Sequence, residues 1–157
     1  MHKIQLIPAT LDHAKDLAQN LRKEDLQELH ATNILSPAQI LRDAVLHSDI
    51  AITGMVNDRP VFMFGVRKSS ELFNKAAPWM LGSDDLLDYQ VEFLKRCRPI
   101  VQHMRTPYKF LENYVDTRNK TSIKWLKWLG FKIHQSAPFG FNGEPFHRFT
   151  MEGKKYV

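Results

Sequence analysis

Hydrophobic positions along the chain follow two spacings, one typical of strands and one typical of helices. Alternating or β-branched apolar runs predict seven strands, at residues 2–7, 50–56, 60–66, 77–81, 110–115, 131–135 and 146–151. Apolar residues at helical spacing predict helices at residues 11–21, 23–31, 37–45, 83–104 and 117–129. The predicted order is β-α-α-β-β-β-α-β-α-β-β, with the helical region before residue 50 counted as two units.

Local signals mark the ends of several predicted elements. Thr10 and Ser36 precede helical stretches and are suited to N-cap positions. The segment 57–59, Asn-Asp-Arg, predicts a tight turn between two antiparallel strands. Gly130 stands where a left-handed glycine ends a helix. Pro99 falls inside the long fourth helix, so we expect a kink or an early end there.

Length and composition indicate one globular domain spanning residues 1–157. Apolar residues make up 43% and charged residues 25%, close to the average for soluble proteins. The longest apolar run, residues 61–66, is too short to cross a membrane. Asp12, His13 and Lys15 stand where a secretory signal needs apolar residues. We therefore expect a cytoplasmic protein that has no membrane partner and, with Cys97 as its single cysteine, no internal disulfide.

Charge is unevenly distributed along the chain, although the formal net charge is only +5. Residues 118–132 carry five basic residues and no acidic one, whereas residues 83–92 carry four acidic residues and no basic one. The basic run is either a surface that faces an anion or simply the solvated face of a helix. The histidines lack metal-ligand spacing, so we expect no metal site. The chain also has no phosphate-binding glycine motif, so a nucleotide-binding fold has no support.

The most informative motif lies at residues 111–131, which read LENYVDTRNKTSIKWLKWLGF. A strand is followed by an asparagine that opens a helix, a small residue three positions later and a Leu-Gly-Phe close. Together with the element order, this stretch resembles the GNAT superfamily of N-acetyltransferases. It also resembles the GNAT-like proteins of short-tailed phages, which are internal virion proteins or small acetyltransferases. The residues that carry the resemblance are Leu111, Val115, Asn119, Ser122, Leu129, Gly130 and Phe131.

The resemblance implies an α/β fold, with a mixed, mostly antiparallel seven-stranded sheet, splayed central strands and helices on both faces. It implies transfer of an acyl group from acetyl-CoA to an amine acceptor. The pyrophosphate of the cofactor would bind backbone amides at the start of the central helix, where free N–H groups and the helix dipole favour an anion. Carried onto this sequence, the cofactor-binding residues are Gly82 and Ser83 for the pyrophosphate, Asn119 for the pantetheine arm, and Arg118, Lys120 and Lys124 for the adenosine phosphate.

The chain departs from the family pattern at the pyrophosphate loop. Gly82 is the only glycine there, and Asp84 and Asp85 follow it where carboxylates would repel a phosphate. Ser83 and both aspartates are also suited to capping the helix, as Asn119 is for the next one. We expect the two aspartates to occupy the anion site themselves, so that acetyl-CoA binds at millimolar affinity or worse and gains several-fold when they are replaced.

The candidate catalytic residues, Tyr114 and Glu112, come from the alternation of side chains along one strand. Leu126 stands where many family members have a tyrosine that protonates the departing thiolate. Tyr114 could supply that proton, and Glu112, two residues earlier on the same strand face, could accept a proton from the amine. The alternative is that both residues belong to the polar face of a sheet.

Three hypotheses about function remain. The chain is an active acyltransferase that uses acyl-CoA and an amine, or a non-catalytic protein on the same fold with virion or assembly proteins as partners. In the second case it would lie in the host cytoplasm and in the virion. A basic nucleic-acid accessory module is the least favoured hypothesis. The fold supports the first two equally, because a fold alone does not establish an activity.

Overall fold

The computed structural model describes residues 3–154. Within them the strands are β1 (Gln5–Pro8), β2 (Ile50–Val56), β3 (Arg59–Ser70), β4 (Lys75–Gly82), β5 (Phe110–Asp116), β6 (Lys132–Phe139) and β7 (Glu144–Glu152). The α-helices are α1 (Leu11–Ala18), α2 (Lys23–Thr32), α3 (Pro37–His47), α4 (Gln90–Met104) and α5 (Lys120–Leu129). A 3-10 helix at Asp84–Tyr89 joins β4 to α4.

The strands form one seven-stranded sheet in the order β1-β2-β3-β4-β5-β7-β6. Neighbouring strands are antiparallel throughout, except that β4 and β5 are parallel. These two pair only at residues 75–76 and 110–111. Beyond that point they separate, so Gly82 and Asp116 end two strands with an opening between them. The predicted fold class, including the splayed central strands, is confirmed.

Helices cover both faces of the sheet. On one face α4 and α5 pack over the larger core, where the Phe93 ring meets Phe62 and Trp125 edge-on at centroid distances of 4.7 and 5.2 Å. On the other face α1, α2 and α3 enclose a second core that contains the fully buried Leu17 and Leu41. The opening between β4 and β5 therefore lies between two helical layers.

The local signals at element ends are confirmed. Thr10 and Ser36 each accept a backbone N–H from the first turn of the following helix, at 3.1 and 3.2 Å. Asn57 and Asp58 form the turn between β2 and β3 with φ angles of 50° and 61°, the left-handed conformation that such hairpins need. Gly130 ends α5 with φ 105°.

The observed helices correct the predicted ones at three points. The region before residue 50 holds three helices rather than two units. The predicted helix over 83–104 is divided, because Ser83 makes no side-chain cap and a 3-10 turn that buries Leu86 precedes α4. Pro99 lies inside α4, which continues to Met104, so the predicted early end does not occur; Cys97 and Val101 on either side of it are buried in the core.

His2, the first residue of the first predicted strand, lies outside the described residues. No helix among residues 3–154 is long and apolar enough to cross a lipid bilayer.

Candidate functional site

Side chains, rather than backbone pairing, bridge the opening between β4 and β5. Nearest the paired end, Asn113 Nδ2 donates to the Pro78 carbonyl at 2.8 Å, while its Oδ1 accepts the Tyr114 N–H at 2.8 Å. The Asn113 amide thus replaces a strand-to-strand hydrogen bond. Farther along, α2 spans the wider part of the opening with two carboxylates, those of Asp25 and Glu28.

Asp25 joins the end of β4 to the start of α5. Its Oδ2 accepts the Gly82 N–H at 2.9 Å, and its Oδ1 accepts from Asn119 Nδ2 at 3.1 Å and from Arg22 Nη2 at 3.2 Å. Only 1% of Asp25 is exposed. Burial raises the pKa of Asp25, whereas the Arg22 charge and the hydrogen bonds act in the opposite direction.

Arg22 is the buried cation of this network. Its Nη2 also donates to Asn119 Oδ1 at 2.8 Å and to Ser122 Oγ at 3.4 Å, and its guanidinium lies 5.2 Å from the centroid of the Trp125 ring. The Arg22 backbone N–H donates to the Gly82 carbonyl at 2.9 Å. A buried ion pair of this kind is costly to break, because the remaining charge is left without compensation.

Glu28 forms the second bridge, one helical turn after Asp25. Its Oε1 accepts the Asp116 N–H at 2.9 Å and Asn119 Nδ2 at 3.0 Å. Burial, with a smaller contribution from the neighbouring Asp25 charge, raises the pKa of Glu28 to about 8. A carboxyl group of α2 whose pKa is raised to about 8 therefore lies beside the end of β5.

The backbone N–H groups of the proposed pyrophosphate loop, Gly82 and Ser83, already have hydrogen-bond acceptors within the protein. The Gly82 N–H is held by Asp25, and the Ser83 N–H donates to a β3 carbonyl at 2.9 Å. Asp84 and Asp85 begin the 3-10 helix and are exposed to solvent, whereas Leu86 is its buried residue. The expectation that these two aspartates occupy the anion site was wrong; the buried carboxylate there is Asp25.

Asn119 caps α5 and also connects it to α2. Its Oδ1 accepts the Ser122 N–H at 3.3 Å as well as the Arg22 guanidinium, and its Nδ2 donates to both α2 carboxylates. Only 1% of Asn119 is exposed, so the amide proposed to contact pantetheine has its hydrogen bonds within the protein.

The three basic residues proposed to meet the adenosine phosphate are exposed near the start of α5. Arg118 is paired with the buried Asp116 at 2.6 Å, a contact that outweighs the effect of burial and lowers the pKa of Asp116. Lys120 and Lys124 lie on the solvent side of the helix. The basic surface is therefore partly neutralised by its own chain.

The two proposed catalytic residues lie in different surroundings. The Tyr114 ring stacks on Phe139 with a centroid distance of 3.9 Å. Glu112 accepts from Arg148 Nε at 2.5 Å and pairs with Lys75 Nζ at 3.3 Å. Burial acts to raise the pKa of Glu112, but the two cations outweigh it and the pKa is lowered. Glu112 is thus held as an ion pair rather than as a free base.

A cavity of about 380 Å³ lies in the opening between the splayed strands. Its lining includes Trp79 of β4, Tyr114 of β5, Phe93 and Trp125 of the α4–α5 layer, and Glu28 of the opposite layer. Among the residues that the structure describes, Glu28 is the only charged one on its wall. The volume falls within the roughly 300–1,000 Å³ typical of small-molecule sites. Glu112 does not line the cavity, so the structure brings Tyr114 and Glu28 to it instead.

Sequence reasoning missed Arg22, Asp25 and Glu28. The stretch over 23–31 has the alternation of charged and apolar residues that usually marks a solvated helix face. One signal was available: Asp25 lies four residues before Leu29, so both belong to one side of the helix, and that side is buried.

Solved structures of acetyltransferases are similar to this chain throughout their length. A GNAT-family acetyltransferase from Bacillus anthracis aligns with a TM-score of 0.69 and 5% identity over 96% of this chain and 95% of that one. One from Streptococcus pneumoniae aligns with a TM-score of 0.66 and 12% identity over 95% and 98%. The microcin C7 self-immunity acetyltransferase MccE, solved with acetyl-CoA and AMP, aligns with a TM-score of 0.68 and 10% identity over 97% and 93%.

At the level of sequence, no protein-family model and no curated protein matches the chain. At such low identities the structural matches establish the fold, which is that of the GNAT acetyltransferases.

Proposed function

We propose that this chain keeps the GNAT fold without the CoA-dependent reaction and serves as a non-catalytic component of a virion or of its assembly. One observation carries the proposal: Asp25 holds the Gly82 N–H and the Asn119 amide, two groups that the family resemblance assigns to the cofactor. The protein's own carboxylate therefore takes the place of the cofactor's polar contacts.

The energetics of this arrangement oppose cofactor binding. A pyrophosphate at Gly82 would have to displace Asp25, whose hydrogen bonds with charged groups contribute about 1.5–3 kcal/mol each. Displacement would also leave Arg22 buried without its partner. The residues at Gly82 and Ser83 therefore do not fit the cofactor's pyrophosphate as they are arranged.

The virion role rests on the resemblance of residues 111–131 to GNAT-like proteins of short-tailed phages. In such a setting the chain would be made in the host cytoplasm and act with other virion or assembly proteins. A domain in which Asp25 occupies the Gly82 N–H and the Asn119 amide is suited to a structural role.

An active N-acyltransferase is the second candidate, and the cavity favours it. Glu28 lies on the wall of the space between β4 and β5, and its Oε1 accepts from Asn119 Nδ2. Its pKa of about 8 suits a base for an amine. Acetyltransferases dominate the structural matches, and one of them was solved with acetyl-CoA. In this candidate, Glu28 rather than Glu112 would accept the proton.

Release of free thiol from acetyl-CoA tests the proposal against this candidate. The purified protein is incubated with acetyl-CoA and a set of primary amines, with the Glu28→Gln variant as the matched control. We expect thiol release at the uncatalysed rate for both proteins. Amine-dependent release by the wild type that is lost in Glu28→Gln would overturn the proposal and establish the acyltransferase.

A further inference from the structure

The hairpin of β3 and β4 projects from one end of the sheet. Ile50 begins β2 and pairs with Val66, whereas β3 continues beyond Val66 to Ser70, paired with β4 alone. The turn over residues 71–74, the hairpin tip, also extends past the start of β5. Gly82 is at the other end of β4, so the hairpin tip is separate from the opening between β4 and β5.

Two large apolar side chains are exposed at the hairpin tip. Leu72 is 84% exposed and Phe73 is 63% exposed. Neither belongs to a hydrophobic core formed by residues 3–154. Turns of this kind usually carry glycine, proline, asparagine, aspartate or serine, which suit the backbone conformation and are well solvated. Packing within the described chain therefore does not account for the leucine and the phenylalanine.

Hydrogen bonds hold the hairpin tip in one conformation. Ser70 Oγ accepts the Phe73 N–H at 3.2 Å, and Asn74 has the left-handed φ of 51°. Asn74 is fixed to the connection between α4 and β5, because its Nδ2 donates to the Pro107 carbonyl at 3.2 Å and its own carbonyl accepts the Lys109 N–H at 3.0 Å. The two apolar side chains are thus exposed on an ordered turn, so binding costs little further ordering of the backbone.

Basic residues surround the hairpin tip. The segment 105–109 contacts it through Asn74, and the Lys154 N–H donates to the Arg105 carbonyl at 3.3 Å, which brings the segment after β7 to the same end of the molecule. Residues 67–75, 105–109 and 152–154 contain six basic residues and two acidic ones. The six form the basic rim: Arg67, Lys68, Lys75, Arg105, Lys109 and Lys154.

Ion pairs reduce the charge of the basic rim without cancelling it. Three of its members have carboxylate partners: Arg67 with Asp43 at 3.8 Å, Lys68 with Glu71 at 3.4 Å and Lys75 with Glu112 at 3.3 Å. Glu112 is also shared with Arg148. Basic residues therefore remain in excess around the apolar tip. An apolar projection within a basic surface complements a bilayer whose headgroups are anionic.

We propose that the hairpin tip binds the surface of an anionic lipid bilayer, with Leu72 and Phe73 inserted at the boundary of headgroups and acyl chains and the basic rim against the headgroups. Burial of the two side chains and attraction of the lysines and arginines act together. This replaces the expectation of no membrane partner, which rested on the lack of a spanning segment, because surface binding needs none. The inference goes beyond the proposed function and requires neither a virion partner nor acyl-CoA.

Co-sedimentation of the full chain with lipid vesicles tests the proposal. We expect binding to vesicles of equal parts phosphatidylcholine and phosphatidylserine that is about tenfold or more tighter than binding to phosphatidylcholine alone. Added salt should weaken the binding, because it screens the basic rim. No binding to the anionic vesicles, or equal binding to both kinds, would overturn the proposal.

Matched substitutions locate the binding surface. Phe73→Ser should weaken binding to the anionic vesicles by about tenfold or more, because it removes an inserted ring. Phe141→Ser is the control, since Phe141 is 58% exposed in the turn between β6 and β7, and it should change binding by less than about twofold. Equal effects of the two substitutions would contradict the assignment to the hairpin tip.

The contribution of the basic rim has its own pair of variants. Replacement of Lys109 and Lys154 by Gln should weaken binding to the anionic vesicles by about tenfold and leave binding to phosphatidylcholine unchanged. Replacement of the exposed Lys95 and Lys127 by Gln removes the same charge from α4 and α5. A similar loss in this control would show that net charge alone, rather than the basic rim, directs the protein to the bilayer.

A fluorophore at the hairpin tip measures insertion directly. Phe73→Trp keeps an apolar ring there, and vesicles that contain a brominated lipid should quench its emission more than that of the wild type, whose tryptophans are at positions 79, 125 and 128. Equal quenching would contradict insertion. Sedimentation without lipid examines the other occupant, a second copy of the chain: a dimer that Phe73→Ser abolishes, with no vesicle binding, would overturn the proposal.

Discussion

The Asp25 carboxylate accepts the backbone N–H of Gly82 at 2.9 Å, across 57 residues of sequence. This bond joins α2 to the last residue of β4, which still pairs with β3 on one side but has no β5 partner on the other. The same carboxylate holds Asn119 at the start of α5. One buried side chain thus closes the wide end of the opening.

Asp25 is expected to be a large contributor to stability. Replacement by Asn keeps the shape but removes the charge that balances the buried Arg22, so Asp25→Asn should lower the free energy of unfolding by about 3 kcal/mol. Urea denaturation measures the change. The exposed Asp12 is the matched control, and Asp12→Asn should cost less than about 1 kcal/mol. Similar losses in both variants would contradict the role given to the Arg22–Asp25 pair.

Glu28 should make stability depend on pH in a defined direction. Its ordinary pKa of 4.5 is raised to about 8 in the folded protein, so between these values the folded chain holds a proton that the unfolded chain has released. The stabilisation is therefore fully present below the lower value and is lost as the pH rises through the upper one.

Denaturation of the wild type and of Glu28→Gln over this pH range provides the measurement. The wild type should lose stability relative to the variant as the pH rises, because glutamine does not titrate. A difference that stays constant, or that grows in favour of the wild type, would show that Glu28 is not held with a raised pKa.

The Asn113 amide should control how far β4 and β5 separate. Asn113→Asp keeps the oxygen that accepts the Tyr114 N–H but loses the donor to the Pro78 carbonyl and adds a charge beside it. We expect a loss of about 1–3 kcal/mol in the free energy of unfolding. Asn142→Asp, in the exposed turn between β6 and β7, is the control. Equal stability of the two variants would mean that the bridge does not restrain the strands.

Most of the fold could be predicted from local patterns. The caps at Thr10 and Ser36, the turn at residues 57–58 and Gly130 each depend on a few adjacent residues, and the motif over 111–131 identified the sheet topology. Those signals are local in the sequence, so periodicity and turn chemistry detect them.

The site was predicted less well, because its contacts join distant parts of the chain. Asp25 and Asn119 are 94 residues apart, and no spacing rule connects an acidic residue on an apparently solvated helix to a helix cap. The same holds for Glu112, whose partner Arg148 becomes a neighbour only through the β5–β7 pairing. Charge and polarity alone do not distinguish a buried network from a solvated surface.

The affinity for acetyl-CoA tests the proposal that Asp25 occupies the groups that a cofactor would contact. Asp25→Ala frees the Gly82 N–H and leaves Arg22 to face an anion, while replacement of the exposed Asp84 and Asp85 by Asn changes charge at the loop without freeing the amide. Circular dichroism establishes that each variant is folded.

Isothermal titration of acetyl-CoA into the three proteins is the most direct measurement. We expect a millimolar or weaker dissociation constant for the wild type and for the Asp84/Asp85 variant, and binding about tenfold tighter or better for Asp25→Ala. A wild-type dissociation constant in the low micromolar range would contradict it.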